Sequence, residues 1–278
     1  MNFNIYRHLE KIDALSAGSV VAIGNFDGVH KGHQAVLSKA EEKAKKLNVP
    51  FVVLTFEPHP KRVLGLPNAP ERITPFAAKC RVFKKFNVNA VYAVRFTKSY
   101  AKTTAVEFVE NTLKNTLNAK HVVIGDDFAF GKGREGSIEM ITKLGKNNGF
   151  EVAVIPQVTC ENGEDISSTR IRAELAKGNI QAANKLMAHP FTIVAHFVED
   201  QNLNLVAPIK HYTTIKNAVY FVQIEYNNKL DGIGEDGDHP AIMPMAVKNG
   251  KIFIPPTEIR PGTPKHSVTL KFREQIEQ

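Results

Sequence analysis

The chain has 278 residues, 43% of them hydrophobic, enough for one large domain or two ordinary ones with a sizeable core. Its formal net charge of +8 is spread along the chain and not blocked into one arm, which argues for small polyanions such as nucleotides and against nucleic acid. Two distant cysteines fit no metal or redox spacing, the charged first residues form no signal peptide, and no apolar run is long enough to span a membrane, so the expectation is a reduced, cytoplasmic protein without a membrane partner.

The first strand is expected at 20–23, running into Gly24-Asn25-Phe26-Asp27-Gly28 and then a helix from about Lys31. A strand that enters a glycine-containing turn and then a helix presents backbone N–H groups to a phosphate. His30 and His33 are three apart, so on a helix that starts near Val29 they share one face. Both can donate hydrogen bonds to phosphate oxygens. Surface histidines or half of a metal site are the plainer readings, although no Cys or third His lies close by in sequence. The stretch is not a Walker A loop.

A helix is predicted over 32–47, with Val36, Ala40, Ala44 and Leu47 on its buried stripe. The apolar run FVVLTF at 51–56 reads as a strand buried on both faces. Glu57-Pro58-His59-Pro60 then reads as a rigid loop that excludes helix and strand. Thr74-Pro75 is an N-cap followed by proline at the first helical position, opening a helix with Phe76, Cys80 and Phe83 inside. A strand at 90–96 follows. Thr104 and Glu107 form a capping box that starts a helix with Val106, Val109, Leu113 and Leu117 inward. Next come a strand at 121–125, the loop DDFAFGKGREG, a helix at 137–148 capped by Gly149, and a strand at 152–155.

This alternation implies a Rossmann-like α/β domain, a parallel sheet covered on both faces with right-handed crossovers. Ligands bind such sheets beyond the carboxyl ends of the strands, near a switch in strand order. The loops at 24–33, 57–62, 125–136 and 157–170 all follow strands and point to one shared site. A helix near Ser167 breaks at Gly178-Asn179, and a short helix runs to about Met187. Beyond Pro190 only strands and turns are expected, at 191–198, 219–225, 251–254 and 267–272, with a turn-rich loop at 231–238. The expected division is therefore 1–187, the α/β domain, and 188–278, a small all-β, barrel-like domain.

Five stretches carry a resemblance: GNFDGVHKGHQ at 24–34, TFEPHP at 55–60, RITPF at 72–76, VVIGDDFAFGKGREG at 122–136 and ISSTRIR at 166–172. In order and spacing the chain resembles the bacterial bifunctional riboflavin kinase/FMN adenylyltransferase (FAD synthetase) family. The first and last stretches are also marks of the wider nucleotidylyltransferase superfamily. The resemblance implies transfer of AMP from ATP to FMN, giving FAD and pyrophosphate, with Mg²⁺ as cofactor. The FMN phosphate, with a second pKa of about 6, is already largely ionised and needs no strong base. Catalysis then reduces to positioning and to stabilising charge at the α-phosphate.

The resemblance also implies roles for individual residues. His30 and His33 would hold ATP phosphates, in a loop shaped by Gly24, Asn25, Phe26 and Asp27. Ser168, Thr169 and Arg170 would receive the leaving phosphates, with Arg172 as a second arginine. Pro58 and His59 would wall the flavin or adenine pocket. Asp127, Phe128 and Phe130 would lie on the flavin side, and Arg134 would meet the FMN phosphate. The plainer readings are core packing for the phenylalanines, a structural turn for Pro58 and His59, and a loop cap for Asp127.

The C-terminal stretch departs from the family. The kinase run G-x-x-L-G-x-P-T-A-N is absent, Thr213-Thr214 is a poor substitute, no acidic base or closing helix is recognisable, and the sequence stops at Gln278, early for a complete kinase. The expectation is a lost kinase activity and a β domain kept as a relic or docking surface, self-association included. Three other readings stay open: a nucleotidylyltransferase acting on a different phosphate, a non-catalytic flavin- or nucleotide-binding regulator, and a fully bifunctional enzyme with a divergent kinase site.

Overall fold

The computed structural model describes residues 3–7, 15–67, 69–202, 204–209, 212–226, 242–254 and 267–276. By contacts the chain forms two compact units. One comprises Met1–Pro70 and Lys79–Asp165, the other Glu71–Ala78 and Ile166–Gln278. The turn-rich loop at 231–238 lies outside the described residues.

The first unit is built on six parallel strands: β1 (Asn4–Tyr6), β2 (Ser19–Ile23), β3 (Phe51–Phe56), β4 (Ala90–Val94), β5 (Ala119–Gly125) and β6 (Glu151–Ile155). Their order is β1-β4-β3-β2-β5-β6. All five residues of β2 are buried, as in a strand covered on both faces. The expected Rossmann-like α/β class is the one observed, with β1 added at one edge, where Ile5 pairs with Val91.

Helix α1 (Lys31–Leu47) packs through Val36, Leu37, Ala40 and Ala44. Leu47 lies in its last turn and is 45% exposed, so the buried stripe ends at Ala44. The loop after β3 does hold a helical turn, α2 (Pro60–Val63), because Pro60 takes the first helical position, where a missing N–H costs nothing. Helix α3 spans Phe76–Lys85, starting one residue later than its Thr74-Pro75 signal implies. Thr104 and Glu107 do form a capping box on α4 (Ala105–Glu107). The chain then widens into a π-helix over Phe108–Thr116. Phe108, Val109, Thr112 and Leu113 turn inward along it and Leu117 is buried just beyond it, so Val109, Leu113 and Leu117 lie where expected, whereas Val106, in α4 before it, is 39% exposed. Helix α5 (Ile138–Asn148) is capped by Ser137 and ends at Gly149 with φ of 77°.

The second unit carries α6 (Ser168–Lys177), α7 (Ile180–Met187) and seven antiparallel strands. These are β7 (Phe191–His196), β8 (Val198–Glu199), β9 (Leu205–Pro208), β10 (Ala218–Tyr226), β11 (Ile242–Lys248), β12 (Lys251–Ile254) and β13 (Ser267–Ile276). Their order is β7-β13-β10-β11-β12-β9-β8, curled into a half-barrel. Tyr220, Val222, Leu270 and Phe272 are among its buried side chains.

Candidate functional site

The strand order of the first unit reverses at β2. From there the chain proceeds through β3 and β4 on one side and through β5 and β6 on the other. The crevice of such a sheet lies at that reversal, beyond the carboxyl ends of β2 and β5. The loops leaving those two strands are 24–30 and 126–137.

The turn after β2 is held in an unusual backbone conformation. Phe26, Gly28 and Val29 all have positive φ, at 50°, 83° and 36°. A β-branched residue such as Val29 takes that region only when its surroundings enforce it. Here the enforcement is visible. The Phe26 ring is fully buried, 5.3 Å from the His33 ring and edge-on to Phe83 at 5.5 Å. Gln34 Nε2 donates to the Val29 carbonyl at 2.8 Å. The Asn25 carbonyl accepts from Thr55 Oγ1 at 3.3 Å and from Lys79 Nζ at 3.2 Å.

The turn delivers the two histidines together. His30 is the N-cap of α1, and its Nδ1 accepts from the His33 backbone N–H at 3.4 Å. The two rings stack with centroids 3.7 Å apart and planes at 25°. His33 Nδ1 is buried and has no hydrogen-bond partner, and the same is true of Asn25 Oδ1. Burial, then the neighbouring His30, then Lys79 hold the His33 imidazole well below its ordinary pKa, so the ring is neutral near pH 7. A neutral imidazole with an unused nitrogen at a helix N-terminus is prepared to meet an anion.

Three residues at this turn escaped the sequence reading. Thr55, Glu57 and Lys79 hold it from behind. Lys79 sits on the face that carries Phe76, Cys80 and Phe83, and its ammonium pairs with Glu57 Oε1 at 2.7 Å. A charged residue inside an apolar i, i+3, i+4, i+7 pattern was the available signal.

The other expected residues of this unit divide into two kinds. Gly24, Asn25, Phe26, Asp27, His30 and His33 form one cluster, with Phe26 acting as a buried support. Pro58 follows a cis peptide and is exposed, while His59 Nδ1 accepts from the Lys61 N–H and caps α2. In the loop after β5, the cap is Asp126, whose Oδ2 accepts from the Gln157 N–H at 2.9 Å, and Asp127 is exposed. Phe130 is a core residue that stacks on Phe128 at 5.4 Å and touches Phe108, so packing is its role. Phe128 is partly buried against the same core. Arg134 is exposed on a 3₁₀ turn with φ of 62°.

In the second unit, Ser167 caps α6 by accepting from the Arg170 N–H at 3.2 Å. Ser168, Thr169 and Arg170 thus form the first helical turn, whose N–H groups have no intrahelical partners. Arg172 Nε donates to the Glu71 carbonyl at 2.9 Å, which ties the RITPF stretch to α6.

Residues 12–170 match the family described as FAD synthetase. The chain belongs to that family.

Curated relatives of this FAD synthetase-family protein carry the name bifunctional riboflavin kinase/FMN adenylyltransferase. The one from Escherichia coli is 36% identical over 234 residues, 81% of this chain and 74% of the relative. The one from Haemophilus influenzae is 32% identical over 252 residues, 86% of this chain and 80% of the relative. A crystal structure titled a macrolide-efflux protein from Streptococcus pneumoniae matches 99% of this chain and 91% of its own, with a TM-score of 0.80 at 26% identity. No helix among the described residues is long and apolar enough to cross a membrane. Family and relatives together support FMN adenylyltransferase activity.

Adenylyl transfer of this kind implies Mg²⁺ alongside the nucleotide phosphates. Among the described residues no group of three or more His, Cys, Asp or Glu side chains could hold a metal ion. Mg²⁺ takes one or two protein oxygens when substrate phosphates and water supply the rest. Asn25 Oδ1, a buried hard oxygen without a partner, fits that arrangement.

Proposed function

We propose that this protein transfers the adenylyl group of ATP to the phosphate of FMN and has lost riboflavin kinase activity. An FMN phosphate oxygen attacks the α-phosphorus, the bond from that phosphorus to the α–β bridging oxygen breaks, and pyrophosphate leaves. The observation that carries this reading is the stacked His30–His33 pair at the N-terminus of α1, on the strained turn after β2 of a FAD synthetase-family sheet. His30, His33 and the α1 N–H groups bind the triphosphate. Ser168, Thr169 and Arg170 receive the β- and γ-phosphates, and Arg134 binds the FMN phosphate. Asp127 and Phe128 line the flavin side. Mg²⁺ bound with ATP would neutralise phosphate charge, with Asn25 and Asp27 supplying oxygen ligands.

The substrates ATP and FMN are its partners, and Cys80 and Cys160, which form no disulfide, suit a cytoplasmic setting. Loss of the kinase is supported by the missing Pro-Thr-Ala-Asn run and by Thr213. That residue is buried, and its N–H is committed to the Arg72 carbonyl at 2.8 Å. A second reading, a bifunctional enzyme with a divergent kinase site, is favoured by the names of the relatives. One pair of incubations decides. With ATP, Mg²⁺ and FMN the protein is expected to form FAD, and with ATP, Mg²⁺ and riboflavin it is expected to form no FMN. FMN from riboflavin establishes the second reading. Absence of FAD from FMN removes the first.

A further inference from the structure

We propose that Lys79, held by Glu57, is a positioning residue for adenylyl transfer, acting through the Asn25 carbonyl on the turn that carries His30 and His33. The inference rests on the adenylyltransferase reading of that site and adds to it a residue pair outside the nucleotide-binding turn itself.

The geometry is specific. Lys79 Nζ lies 2.7 Å from Glu57 Oε1 and 3.2 Å from the Asn25 carbonyl oxygen, with the two charged side chains only 4% and 11% exposed. Burying such a pair costs solvation, and a well-packed apolar pair of similar volume would hold the fold as well or better. Fold stability alone is therefore a weak reason for ions at this place. The ammonium has a second partner, and that partner is the backbone of the turn. The Asn25–Phe26 peptide is trans. Fixing its carbonyl on Lys79 fixes the opposite direction of the Phe26 N–H and the start of the positive-φ run through Val29. Thr55 Oγ1 shares the same carbonyl, so β3 and α3 both grip one peptide plane.

The charge matters beyond position. The groups that hold down the His33 pKa after burial itself are His30 and Lys79. A cation behind the turn adds to the lowering that burial and His30 already impose on His33, and adds positive potential for an arriving phosphate.

The test uses the full chain with Lys79→Met, Lys79→Arg, Glu57→Gln and the double variant K79M/E57Q. The single Lys79→Met variant removes the ammonium beside a buried carboxylate and can fail through misfolding, so the double variant is the decisive one. It is expected to keep the wild-type melting temperature within a few degrees and to lose about tenfold or more in kcat with a smaller change in the KM for FMN. The His33 Cε1–H resonance, titrated by NMR without substrates, is expected to move toward the ordinary histidine pKa. Lys79→Arg is expected to recover part of the rate. Wild-type kcat together with an unmoved His33 titration in the folded double variant overturns the inference. Wild-type protein that makes no FAD overturns the adenylyltransferase reading instead, and the NMR titration still reads the link between Lys79 and His33.

Discussion

His30 and His33 stack their rings 3.7 Å apart, and the Nδ1 of the first accepts the backbone N–H of the second. With Nδ1 accepting, a neutral His30 carries its proton on Nε2. Replacing either ring by alanine is expected to lower kcat/KM for FAD formation by about 10²–10³-fold, the usual cost of one donor to a reacting group. Circular dichroism is expected to stay unchanged. Rates within twofold of wild type would take both histidines off the list of catalytic groups.

Ligand binding is expected to draw in a proton. Stacked imidazoles repel each other when both are charged, and His33 is held low by burial, by His30 and by Lys79. A triphosphate reverses that balance, because an adjacent anion favours the protonated ring. Calorimetry of ATP binding at about pH 6.5 in two buffers of different ionisation enthalpy is expected to show net proton uptake. Equal heats in both buffers would contradict it.

Acid sensitivity is expected to have a source remote from the turn. His121 on β5 is buried, its Nε2 has no partner, and its Nδ1 lies 3.3 Å from the exposed carboxylate of Glu151. Burial first, then Lys43, lower its pKa in spite of Glu151. A histidine that ionises less readily when folded favours the unfolded chain as pH falls. Stability is therefore full above the ordinary histidine pKa and declines below it, by at most about 1.4 kcal/mol per pH unit for one group. His121→Gln is expected to flatten the melting temperature between pH 7 and pH 5. An identical slope in the variant would assign the acid response elsewhere.

The loop after β5 rests on a close approach of backbone to ring. A Cβ on Gly136 would lie 2.5 Å from the Phe130 ring, which is packed against Phe128 and Phe108 and has no room to move. Gly136→Ala is expected to destabilise the protein by about 1–3 kcal/mol, as overpacking does. Adding Phe130→Leu is expected to recover part of that loss in denaturant melts. No change on Gly136→Ala would mean that the loop is not anchored through this ring.

The parts of the fold that read clearly from sequence were those with one dominant pattern. FVVLTF gave its strand without error because nothing in it competes with burial on both faces. The helix after Thr104 was legible at its cap and in most of its buried stripe, Val109, Leu113 and Leu117, while Val106 in its first turn faces outward and nothing in the pattern announced the π-helix over Phe108–Thr116. Strand β11 was missed because Pro244 argues against a strand. Yet Asn249 and Gly250, both at positive φ, form the tight turn that pairs Lys248 with Lys251, and Asn-Gly before a strand was the overlooked sign. At the site, His30 and His33 were legible because they are neighbours in sequence. Lys79 and Glu57 were not, because 22 residues separate them and lysine is ordinarily read as solvated.

Residues 71–78 leave the first unit and return at Lys79. Outside it, the Arg72 carbonyl accepts from the Thr213 N–H, and the Glu71 carbonyl accepts from Arg172. The partners of Glu71 and Arg72 are translated 101 and 141 codons later, so this short excursion stays unfinished on the ribosome until α6, α7 and the first three of the seven half-barrel strands have been made. A nascent chain arrested between residues 172 and 213 can therefore make the Glu71–Arg172 bond but not the Arg72–Thr213 bond.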